Sequence, residues 1–178
     1  MGGQFKRWSI AAGVILLSHL VLVFACALAW RVLGGTEFVA ENLLRSDYKR
    51  NPSLVNSLVQ ELESDLHEAA LAILGVTLVV AIILYSIAVF RTVDGPGVAR
   101  RAQPLWWYLL IFGVLVTGGL SYYLFSYKAS GLSPQLVLYF VYGSISAFVI
   151  VFYLAGSVLP MPRHIRPMVP GATLLMRT

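Results

Sequence analysis

From Trp8 to Trp30 the chain carries no Asp, Glu, Lys or Arg, and a helix built from such a run has no side that belongs in water. Helix rises about 1.5 Å per residue and the hydrocarbon core of a bilayer is about 30 Å thick, so roughly 20 apolar residues reach across it. The run meets that length and has a tryptophan at each end, where an amphipathic ring sits well at headgroup depth. Three further stretches satisfy the same test. Ala69 to Phe90 is closed by Arg91; the third opens with Trp106, Trp107 and Tyr108 and ends at Tyr122, Tyr123 and Tyr127; the fourth begins at Ser133-Pro134, a capping residue followed by proline at the first helical position. The expected fold is an all-α, polytopic membrane protein. It is a four-transmembrane-helix bundle with spans at about 8–30, 69–90, 105–126 and 134–158, forming one membrane domain.

Composition agrees. Only 12% of the residues are charged and 58% are apolar, against about 25% charged in an ordinary soluble domain. The formal charge of +5 does not point to nucleic acid, because the basic residues stand singly or in pairs at the ends of apolar runs rather than in one stripe. One cysteine, Cys26, rules out an intrachain disulfide and any cysteine cluster.

Two N-terminal alternatives are weaker. A signal peptide would follow Lys6-Arg7 with a shorter apolar run and a clearer small-residue site than Ala25, Ala27 and Ala29 provide. Myristoylation at Met1-Gly2 would want Ser or Thr where Lys6 stands.

Lys and Arg set the orientation. With the N-terminus inside, Lys6, Arg7, Arg91, Arg100, Arg101, Arg163, Arg166 and Arg177 fall on the cytoplasmic face, and Arg31, Arg45, Lys49, Arg50 and Lys128 fall outside. Both termini are then cytoplasmic, and a bacterial inner (plasma) membrane is the expected location. All the acids except Asp94 lie in 31–68, the outer segment between spans one and two.

That segment reads as helical. Gly34-Gly35 ends the first helix, Thr36 caps a short helix to about Ser46, and Asn51-Pro52 starts another. Leu54, Leu58, Leu62 and Leu66 then recur at intervals of four, with Glu61, Glu63, Asp65 and Glu68 on other faces. No proline or glycine interrupts Ser53 to Gly75, so this amphipathic helix is expected to continue into the second span as one rod. Its leucine stripe either packs on the Thr36 helix or rests on the membrane surface, or it docks on a partner or a second copy, with Glu61 and Asp65 setting register.

The four spans contain one ionisable side chain, His19 beside Ser18. The bland reading is a neutral histidine bonded to a neighbouring helix; the alternative is a transport pathway on which an oligomer gathers several His19 side chains. No metal site, catalytic set or cofactor motif is recognisable. Asp94-Gly95-Pro96-Gly97 reads as a tight turn. Small residues four apart, Ser9/Gly13, Thr117/Ser121 and Gly143/Ala147, with Gly118-Gly119, allow close helix contact and are read chiefly as internal packing.

The tail, 160–178, opens with four prolines in eleven residues. It is expected to be non-helical, with Arg163 and Arg166 lying along lipid headgroups or meeting a cytoplasmic partner. These features favour a non-catalytic subunit of a larger membrane or envelope assembly, such as a secretion or transport complex, whose partners are lipids and other membrane subunits, including a second copy. A small transporter or channel subunit with His19 on its pathway is the alternative.

Overall fold

The structure, a computed structural model, describes residues 2–32, 52–90, 96–128, 134–161 and 165–172. Every regular element among them is helical: α1 Gly2–Val32, α2 Pro52–Phe90, α3 Pro96–Arg101, α4 Gln103–Tyr123 and α5 Pro134–Val151. Two π-helical turns extend α4 and α5, at Leu124–Lys128 and Phe152–Val158, and a 3-10 turn occupies Arg166–Met168. The short helix read at Thr36–Ser46 lies outside the described residues.

Three helical stretches are long and apolar enough to cross a membrane: Glu63–Ala88, Gln103–Ser126 and Pro134–Val158. The apolar part of α1 among the described residues, Trp8–Leu22, is shorter. The surface is that of a helical membrane protein. Large apolar side chains such as Leu17, Phe24, Leu71, Leu115 and Ile150 face outward, while His19, Thr77, Thr117, Ser121, Ser144 and Ser157 are buried. In water this arrangement would be costly, whereas in lipid the outward leucines lose nothing and the inward hydroxyls find partners.

The central helix is α2, which touches α1, α4, α5 and both π turns. Its 39 residues form one unbroken helix, about 58 Å long at about 1.5 Å per residue. Four pairings run along α4 and α5: Trp106 with Ser157, Gly113 with Phe148, Gly118 with Ile145 and Phe125 with Phe140. The two numbers in each pair move in opposite directions, so these helices are antiparallel in a single register. By contrast α1 is peripheral, touching α2 and the second π turn; Ala11, Ile15 and His19, four apart, form its buried stripe.

Two turn readings change. Pro96 starts a six-residue helix rather than sitting inside a tight turn, because proline is pre-set for the first helical position; Asp94 and Gly95 lie outside the described residues. The break between α3 and α4 falls at Ala102, where Pro104 has no N–H to continue the ladder. The tail is the larger correction. It folds back against α3 and α4 instead of extending, with Met161, Ile165, Met168, Val169 and Ala172 buried in the main core beside Ala99 and Trp106. Proline forbids an α-helix here but not tight turns, and the apolar residues between the prolines give those turns something to bury. Gly171 takes a positive φ of 75° at the final turn.

Candidate functional site

Among the described residues, four groups of side chains bear on what this chain can do, and they sit in different places. The first is on α1. His19 is fully buried, with Nδ1 2.7 Å from the carbonyl oxygen of Ile15. A carbonyl only accepts, so the neutral ring carries its proton on Nδ1 and leaves Nε2 as a bare acceptor. That Nε2 is buried and has no hydrogen-bond partner among the described residues. The hydroxyl of Ser18 donates to the same carbonyl at 2.9 Å. Thr77 of α2 behaves alike, donating to the carbonyls of Ile73 and Leu74. These groups bond back to their own helix, the cheapest satisfaction for a short polar side chain in lipid; His19, expected to bond to a neighbouring helix, bonds within α1 instead. The imidazole is fully buried within its own chain.

The second group is the acidic stretch of α2. α2 runs unbroken from Pro52 to Phe90, so the stretch that holds Glu63, Asp65 and Glu68 continues directly into the apolar run as one rod. Asp65 is 3% exposed, and Leu66 is half-buried against the cluster of Ala69, Phe125, Leu136 and Val137. Leu66 thus contributes to the chain's own packing, with α2 flanked there by the first π turn and α5. Glu63, Ser64, His67 and Glu68 are exposed. The side chains of Leu54, Leu58, Glu61 and Leu62 lie outside what is described.

The third group closes the other end of the bundle. Trp106 is buried and donates from Nε1 to the hydroxyl of Ser157 at 2.9 Å, and Ser157 in turn donates to the carbonyl of Phe152 at 2.9 Å. The indole stacks on Phe152 at 5.7 Å and meets Trp107 and Tyr153 edge-on, while Phe152 stacks on Phe148. Gly156 lets the π turn approach Ala81: a Cβ there would lie 3.1 Å from that of Ala81. The tail is tied to this cluster by the Tyr153 hydroxyl donating to Pro170 at 2.9 Å and by Arg166 Nε donating to Met161 at 3.1 Å. Arg166 thus spends a donor inside the tail instead of giving its whole fork to headgroups, and Arg163 lies outside the described residues. Sequence reading missed this node. Its signals were a glycine-serine pair one turn after Phe152-Tyr153, and a tryptophan pair at the same depth on the helix before.

The fourth group is exposed. Ser9 and Gly13 on α1, and Gly143, Ser146 and Ala147 on α5, face outward, with Tyr139 and Tyr142 on the same outward side of α5. Thr117 and Ser121 face inward. The internal-packing reading therefore holds for one of the three small-residue pairs and not for the other two.

Among the described residues no three His, Cys, Asp or Glu side chains gather where a metal could sit. No family model matches the chain, and no curated protein or solved structure is significantly similar to it.

Proposed function

We propose that this chain is a four-span integral membrane protein with both termini in the cytoplasm, acting as a non-catalytic subunit of a larger membrane assembly. The observation that carries the subunit reading is the outward face of α5. A lipid-facing helix gains nothing from Gly143, Ser146 and Ala147, whereas a second helix does: small residues let backbones approach closely, and hydroxyls reach across. Tyr139 and Tyr142 flank that smooth patch on the same side, supplying aromatic area with a polar tip. The fourth span is supported by the length of α1, 31 unbroken helical residues, more than the roughly 20 a bilayer needs. The orientation is supported by Arg100 and Arg101, exposed at the end of α3 that leads into α4. A bacterial inner membrane suits a chain with these features.

The test places single cysteines in a chain with Cys26 replaced by Ser. Ser146→Cys, oxidised in native membranes, is expected to give a discrete crosslinked adduct, and Leu16→Cys on the outward side of α1 is expected to give none. A chain that stays a solitary monomer in mild detergent, with no adduct from Ser146→Cys, sinks the reading.

A further inference from the structure

We infer that the α3 end of the bundle carries a binding site for an anionic phospholipid, formed by Arg100 and Arg101 at the end of α3, shortly before the exposed Trp107 and Tyr108 of α4 in the chain. Both arginines are exposed, at the last turn of α3, while Ala99 between them and Val98 is fully buried against the folded-back tail. That single inward residue fixes which way the short helix faces. Neither guanidinium has a hydrogen-bond or ion-pair partner among the described residues, in contrast to Arg166, whose Nε is held by the Met161 carbonyl.

The surroundings select an amphiphile. Val98 is 48% exposed, and Trp107 and Tyr108, which follow within the next two turns of chain, are 49% and 69% exposed. Exposed cations followed within about two turns of chain by outward apolar and aromatic side chains match a phosphodiester head joined to acyl chains. Free phosphate would use the cations alone. A zwitterionic lipid brings its own cation to the same place, so two adjacent guanidiniums favour a lipid with net negative charge, bound by charge-assisted hydrogen bonds. The inference rests on the membrane reading above and moves the headgroup contact from the tail arginines to α3.

The test uses the full chain reconstituted in phosphatidylcholine vesicles containing a minority of phosphatidylglycerol, released gently and weighed with its bound lipid. Phosphatidylglycerol is expected to be enriched on the protein over its share of the vesicle, with the enrichment falling as salt is raised. Arg100→Gln or Arg101→Gln should reduce it roughly fivefold, and the double variant roughly thirtyfold. Arg166→Gln should leave it largely in place. Absence of enrichment in the parent chain, or equal enrichment in the double variant of unchanged helix content, overturns the site. Displacement of the lipid by equimolar inorganic phosphate overturns the choice of a lipid over a simple anion. Failure of the chain to float with pure phosphatidylcholine vesicles strikes at the membrane reading instead, so the two failures are separable.

Discussion

Gly113 and Gly143 belong to antiparallel neighbours in one bundle and look alike in the sequence, yet they do opposite work. At Gly113 the ring of Phe148 occupies the space a side chain would need; at Gly143 nothing lies within 4 Å. Gly118, against Ile145, and Gly156, against Ala81, follow the first pattern; Gly13 and Gly119 follow the second. Hydropathy treats the two sets identically because both lie in apolar helices. Only the facing helix tells them apart: an inward glycine is a seat already filled, and an outward one is a seat left open.

The sharpest way to break that contrast is to fill the inward seat. Gly113→Ala forces a methyl into the ring of Phe148, which cannot step aside because it is fully buried and stacked on Phe152, itself stacked on Trp106. Overpacking of this kind costs about 1–3 kcal/mol. A loss of that size is expected in the thermal or denaturant unfolding of the purified chain in detergent. An unchanged midpoint would mean the α4–α5 register is wrong.

The next effect down probes the polar node at the same interface. Trp106→Phe keeps an aromatic ring but removes the Nε1 donor from Ser157, whose hydroxyl still donates to Phe152. Because Ser157 retains that bond, the cost is one buried hydrogen bond plus altered stacking, about 1 kcal/mol. The double variant with Ser157→Ala should cost less than the sum of the two single changes, which unfolding of all three chains would measure. Additive losses would show that the indole and the hydroxyl act independently.

How far the sequence reveals this architecture depends on range. Local rules work well. Ser133-Pro134 marks a helix start that the structure has at Pro134, and the uninterrupted run after Pro52 becomes one helix to Phe90, because caps, prolines and glycines act within a turn of where they stand. What needs a neighbour is not legible. The tail's prolines announce no α-helix but say nothing of the buried Met161 and Met168, since that outcome depends on an apolar end of the bundle being there to receive them. The burial of Asp65 is not legible in the local pattern, which sets it among the acids beside the leucine stripe. His19 stands out by residue type alone, and its bond to Ile15 is local enough to anticipate; its burial is not.

The smallest expected change in stability is the most informative about function. Gly143→Leu places a large side chain on the open face of α5, where no atom stands within 4 Å. Leucine loses less backbone freedom in a helix than glycine by about 0.8 kcal/mol, and in lipid the added isobutyl group is neutral. Unfolding of the isolated chain is therefore expected to shift slightly upward or not at all. Association should respond in the other direction, since a helix seated over Gly143 and Ala147 would be held off by the new side chain, and the Ser146→Cys adduct should disappear in the combined variant. Stability lost together with association would place Gly143 with Gly113, as internal packing. Stability and the adduct both retained would leave the smooth face of α5 as lipid-exposed surface, and would remove the main support for the subunit reading.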